Sequence, residues 1–109
     1  MEIIFHAHHA DVSDSMRQRA QAGVRRLTSR SGRAVDAIVR FERDGVIRRV
    51  EIILHAPRHT RLIAEAQGRF YGPLLAEALA KLQRQIDSAR KASRTRAKRA
   101  SAVRRTARA

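Results

Sequence analysis

Apolar positions along this chain change period several times, and the changes mark six elements. Residues Glu2 to Ala7 carry Ile3, Ile4 and Phe5 before a His-rich bend, which predicts a short first strand. Met16, Ala20, Val24 and Leu27 then recur at spacings of four, four and three, one stripe of a helix. Ser13 is placed to cap that helix and Asp14 puts negative charge in its first turn. Arg17, Arg19, Arg25 and Arg26 fall on its other surfaces, and the segment from Ser29 to Gly32 ends it. From Val35 the period becomes two, with Val35, Ala37, Val39 and Phe41 on one side and Asp36, Ile38, Arg40 and Glu42 on the other. Asp44-Gly45 is a hairpin signal because glycine tolerates positive φ, and it leads into a strand over Val46 to Ala56 with Val50, Ile52 and Leu54 on one face. Pro57 stops that strand, a turn passes through Arg58 and His59, and Leu62, Ala64 and Ala66 alternate with Arg61, Ile63 and Glu65 in a last strand. Leu75, Leu79, Leu82 and Ile86 mark a second helix rich in alanine. Proline has no amide proton to donate, so Pro73 sets where this helix begins: no earlier than about residue 69, with Gly72 as cap and Pro73 at the first position fitting well.

The order β-α-β-β-β-α predicts an α+β fold: a four-stranded mixed sheet with two helices packed on one face. A helix between the first two strands implies that they run parallel through a crossover, and the other three strands form an antiparallel meander. The uncovered face should show Ile38, Ile53 and Ile63 among charges, as a partly exposed sheet face does; self-association is the less favoured explanation.

Charge changes the picture at the C-terminal end. Nine of the residues 90–109 are Lys or Arg, with no Asp, Glu or aromatic and only Val103 as a bulky aliphatic. So little apolar surface cannot offset the entropy of ordering, so we expect one domain over residues 1–90 and a basic, disordered tail over 91–109 until a polyanion neutralises it. The whole chain of 109 residues has a net charge of +14, which favours an anionic partner. Cysteine is absent, so disulfide and thiolate chemistry are excluded. The N-terminal residues lack the pattern of a signal peptide, no apolar run is long enough for a membrane span, and Val103 alone cannot give the tail a membrane-binding face. The expected setting is the cytoplasm, without a membrane partner.

Several short stretches are similar to one family. Ala7-His8-His9 resembles a Gly-His-His at the end of a first strand, Ser13-Asp14 with Met16-Arg17 resembles a Thr-Asp-x-Leu-Arg helix start, and Arg26-Leu27 matches a Lys-Leu. Lys81-Leu82-Gln83-Arg84-Gln85-Ile86 matches Lys-Leu-x-Arg-Gln-Leu/Ile. Together these resemble the ribosome hibernation promoting factors, also called ribosome-associated translation inhibitors or sigma-54 modulation proteins, over about Glu2 to Lys91, and the chain looks like the short type. The resemblance implies binding to the small ribosomal subunit and the 70S ribosome, over the messenger and tRNA channel, and silencing of translation under stress. It also implies rRNA contacts at Arg17, Arg26, Lys81, Arg84, Arg90 and Lys91, with no cofactor and no small-molecule substrate. Ribosome pairing with a helper factor and inactivation of single ribosomes both stay open. The chain departs from the family where the second helix opens, placing Phe70, Gly72, Ala76 and Ala80 at positions that are aspartate, tyrosine or acidic in relatives. Less acid there should strengthen attraction to RNA.

The residues themselves support little else. His6, His8, His9, His55 and His59 suggest a metal, but no Cys or HExxH-type pair accompanies them and His8 and His9 should point apart on an extended backbone, so no metal site is expected. The acids are scattered singly, with no phosphate-binding glycine loop, so catalysis is not expected. The competing function is a general RNA- or DNA-binding protein that acts mainly through its tail.

Overall fold

The computed structural model describes the backbone of residues 2–31, 36–55 and 61–107. It contains β1 (Glu2–His8), α1 (Asp14–Ser31), β2 (Asp36–Asp44), β3 (Ile47–His55), β4 (Leu62–Gly68) and α2 (Tyr71–Ala107). The sheet order is β1-β2-β3-β4, with β1 parallel to β2 and the other pairs antiparallel, as the alternation of periods predicts. The expected break at Gly32 and the turn through Pro57, Arg58 and His59 lie outside the described residues.

One face of the sheet and both helices share a single core. Ala37, Val39 and Phe41 of β2, Val50, Ile52 and Leu54 of β3, and Ala64 and Ala66 of β4 pack against Ala20, Val24 and Leu27 of α1 and Leu74, Leu75, Ala78, Leu82 and Ile86 of α2. Ile3 and Phe5 of β1 and Met16 of α1 join at its margin. Burying each large aliphatic or aromatic side chain contributes roughly 1.5–3 kcal/mol, so this cluster is what the helices need in order to persist. Because β1 and β4 run the same way, both helices begin at one end of the sheet and run parallel to each other. They approach closely at Gly23, where a Cβ would stand 2.6 Å from a Leu79 methyl carbon.

The local signals for each turn are realised. Ser13 Oγ accepts a hydrogen bond from the Met16 amide at 3.1 Å, capping α1. Gly45 has φ 62° in the two-residue β2–β3 loop, and Val46 does not share its positive φ, the pattern of a II′ turn. The start of α2 differs from expectation. Tyr71 is its first residue and the Leu74 amide donates to the Phe70 carbonyl, so Pro73 stands third rather than first and Gly72 is not the cap. The physical reason is that the first turn of a helix has no intrahelical acceptors for its amides, and proline costs nothing there. Tyr71 also anchors this end. Its hydroxyl donates to the Glu42 carbonyl at 3.1 Å, its ring meets Phe41 edge-on at 5.5 Å, and the Arg48 guanidinium lies over it at 5.6 Å.

The backbone of residues 91–107 is helical within α2. Beyond Pro73 the helix meets no glycine or proline, and its Ala, Lys and Arg are strong helix formers. The packed half has already nucleated the helix, so each further residue needs only propagation. The last α2 residue in the described core is Ile86, and the remaining turns extend about 30 Å beyond it.

Two outcomes follow from this packing. Leu82→Ala should destabilise the protein by about 2–5 kcal/mol, read by urea unfolding, because Leu82 is fully buried in the shared core. Tyr71, the sole tyrosine, should titrate above the ordinary tyrosine range. Burial disfavours its phenolate most, Asp11 adds to this, and Arg48 and Arg43 oppose it. Since the folded pKa is raised, the associated stability is full below pH about 10 and is lost as pH rises through the folded value. Ultraviolet absorbance titration of the phenolate checks this.

Candidate nucleic-acid interface

Strand alternation places the acids on the uncovered face of the sheet. Six of the ten acidic residues are in strands, namely Glu2, Asp36, Glu42, Asp44, Glu51 and Glu65, and register puts all six on the face away from the helices. Several are tied up there. Arg49 bonds to Glu42 at 3.3 Å, to Glu51 at 2.8 Å and to Glu65, and Arg40 lies 3.6 Å from Glu51. The hydrogen bond to Glu65 raises the Arg49 pKa most; burial works against it, and the charges of Glu65, Glu51 and Glu42 add to it. Beside this network Ile4, Ile38, Ile53 and Ile63 are paired strand to strand in one row. The row contains the three isoleucines expected from the sequence and adds Ile4 at the β1 edge, but Ile53 is buried and Ile38 half-buried between their neighbours, so only Ile4 and Ile63 show as exposed.

The helices carry the opposite charge. Arg17, Arg19, Arg25 and Arg26 are exposed on α1 and Arg84 and Lys91 on α2. Arg19 and Arg26, and likewise Arg84 and Lys91, are seven residues apart and so lie along one line of each helix. With Gly23 against Leu79, Arg26 and Arg84 stand within about one turn of the same level on parallel helices. Arg17 is farther off, about 14 Å along α1 from Arg26. The Arg90 side chain lies outside the described residues. Glu77 and Asp87 are the acids of α2; the Gln83 amide donates to Asp87 at 3.3 Å. Arg19 was not among the sequence-derived contacts, although its guanidinium reaches within 3.6 Å of where a side chain on Gly72 would begin. Only the packing of α1 beside α2 shows that it reaches the start of α2.

Lys81 has a different immediate task. Its ammonium donates to the Glu65 carbonyl at 2.8 Å and lies 3.3 Å from the Glu77 carboxylate, while the Gln85 amide donates to the Ile63 carbonyl at 2.7 Å. Both carbonyls belong to β4, an edge strand whose outer polar groups would otherwise be open to another chain. The Lys81–Gln85 pair therefore covers the sheet edge, Leu82 and Ile86 enter the core, and Arg84 faces solvent.

The histidines correct one expectation. His8 and His9 do not point apart: His9 has φ 52°, which breaks the extended backbone and brings the two rings to 4.3 Å, edge to face. Among the described residues no group of three or more His, Cys, Asp or Glu could hold a metal ion, and no helix is long and apolar enough to cross a membrane.

Lys81→Glu and Arg84→Glu should separate the two roles. The first places a carboxylate against the Glu65 carbonyl and should lower stability by about 1 kcal/mol, since the lysine is half exposed. The second should stay within about 0.5 kcal/mol of the parent. Urea midpoints of the two variants measure the difference.

The fold has solved counterparts. A ribosomal subunit interface protein from Coxiella burnetii superposes with a TM-score of 0.76 at 15% identity, covering 84% of this chain and 99% of that one. The N-terminal domain of Protein Y from Thermus thermophilus superposes with a TM-score of 0.68 at 20% identity, covering 79% of this chain and 96% of that one. At such identities the likeness is one of fold. No curated protein sequence matches this chain. The family model described as sigma 54 modulation protein / S30EA ribosomal protein matches residues 3–94, from the first strand into the extended part of α2, and the chain therefore belongs to that family.

Proposed function

We propose that this protein binds the small ribosomal subunit across the messenger and tRNA channel and silences translation there, as a noncatalytic hibernation or stress factor in the cytoplasm. The observation that carries this reading is the separation of charge: all strand acids lie on the open sheet face, while exposed arginines line the two helices. A rigid helical layer of this kind neutralises phosphates at fixed spacing without reading base sequence, which suits a folded RNA groove. Family membership and the interface and Protein Y folds agree with a ribosomal partner. Arg17, Arg26, Lys81, Arg84, Arg90 and Lys91 are the proposed contacts, joined by Arg19. Lys81 would do so while also holding the β4 edge.

Residues 91–109 are proposed to act as a basic arm attached to the folded domain. Along a helix its like charges repel one another, and phosphates relieve that repulsion, so ribosome binding should stabilise the helical form of the arm. The competing reading, a general polyanion binder acting through this arm, differs in salt response. Neutralising six to ten phosphates of duplex DNA costs roughly 10³- to 10⁵-fold in affinity between 50 and 200 mM salt.

Cosedimentation with purified ribosomal subunits at moderate salt, with translation assayed in vitro, tests the proposal. The full chain and a version ending at Ala89 should both saturate at one copy per small subunit and inhibit translation. Arg26→Glu with Arg84→Glu should lower affinity at least about tenfold, from the loss and reversal of two phosphate contacts, without moving the urea midpoint. Binding that needs residues 90–109, does not saturate and leaves translation unaffected would make this a general polyanion binder.

A further inference from the structure

The end of the sheet where both helices begin has a surface that the charge separation does not explain. Phe70 and Val46 are each 70% exposed, the most exposed large apolar side chains among the described residues. They line one concavity with Gly45, Arg43, Arg48 and Arg69. Its composition runs against local stability in three ways. Phe70 supplies the carbonyl that opens α2, at a position where Ser, Thr, Asp or Asn would cap the free amides. The first turn of α2 contains no acid, and three arginines stand beside this positive end of the helix. Arg43 and Arg48 are directly opposed across the β2–β3 ladder, where like charges repel.

Two of the arginines are nevertheless held in place. The Arg48 guanidinium donates to the Arg69 carbonyl and lies over the Tyr71 ring, and Arg43 Nε donates to the Gly45 carbonyl at 3.0 Å. Asp44, the nearest acid in sequence, pairs with Ile47 on the opposite face of the sheet. The result is an exposed aromatic ring beside three arginines, two of them fixed. An aromatic ligand that carries its own negative charge satisfies both, and a nucleotide of an unpaired strand is such a ligand: the base stacks on the ring and the flanking phosphates meet the guanidiniums. Base-paired RNA offers no free base face. The surface is also continuous with the helical layer, since Arg19 reaches across to Gly72 at the start of α2.

We propose that Phe70 and Val46, with Arg43, Arg48 and Arg69, form a docking site for an unpaired nucleotide of single-stranded RNA. The choice of RNA rests on the reading given under Proposed function. The site itself rests on the exposed ring and the arginines.

The test uses the full chain at about 200 mM salt, where the purely electrostatic contribution of the arm is reduced. Fluorescence anisotropy follows binding of two labelled probes, an unstructured ten-nucleotide RNA and an RNA duplex of the same length. Phe70→Ala should weaken single-strand binding about tenfold, the effect of losing one stacked base, and change duplex binding less than about twofold. Phe70→Tyr, which keeps a stacking ring, should restore the parent affinity. Tyr71 is the sole tyrosine and there is no tryptophan, so saturating single strand should also change the tyrosine emission beside the site. Unchanged single-strand affinity in Phe70→Ala, equal loss on both probes, or failure of Phe70→Tyr to recover overturns the site. If the parent does not sediment with small subunits while Phe70→Ala still loses single-strand affinity selectively, the ribosomal reading falls and the site stands. Stoichiometric sedimentation with no effect of Phe70→Ala on either probe overturns the site alone.

Discussion

Everything in this structure depends on covering one face of a four-stranded sheet with two helices. A sheet of this size cannot persist without burying one side, and neither helix persists without an apolar surface to lie on. Ile52, Leu54, Phe41 and Leu82 all belong to that contact and are all but fully buried. The covering commits alternate strand positions to the interior, leaving the others to water. The six strand acids occupy only those outward positions, where Arg49 and Arg40 partly neutralise them. The helices instead present exposed Arg17, Arg19, Arg25, Arg26 and Arg84, so the two sides of the molecule differ in charge.

The same arrangement explains why one short motif carries so much. Within Lys81-Leu82-Gln83-Arg84-Gln85-Ile86, two residues enter the core, two hold carbonyls of the β4 edge, and Arg84 points to solvent. Helical periodicity distributes neighbours in sequence to different surroundings in space. Edge protection, core packing and an exposed positive charge are thus built from adjacent residues on one turn and a half of helix. Under the proposed function, a change of charge at Lys81 would act on stability as well as on binding, whereas one at Arg84 would act on binding alone.

Where α2 begins, local preference is given up rather than satisfied. An aromatic residue occupies the capping position, arginines surround the positive end of the helix, and two of them face each other across a hairpin. Tyr71 holds this end together by reaching the Glu42 carbonyl and packing on Phe41. Sites at which several local rules are broken together are where function is expected to be found, because the fold elsewhere supplies the stability they lack.

The sequence by itself determined the element order, the parallel pairing of the first two strands, the capping by Ser13 and the turn at Gly45, since each is written in a period or in the φ preference of one residue. It also separated inward from outward strand positions, and so contained the acidic face, although the row running from Ile4 to Ile63 emerges only once register is known. Tertiary structure decided the rest. Pro73 in the third helical position and the paired rings of His8 and His9 differ from the local expectation because the first turn of a helix leaves its amides free, or one residue with positive φ changes what its neighbours can do. Which lysine or arginine meets solvent and which meets a sheet edge was likewise invisible, because periodicity tells which way a side chain points and only packing tells what stands there.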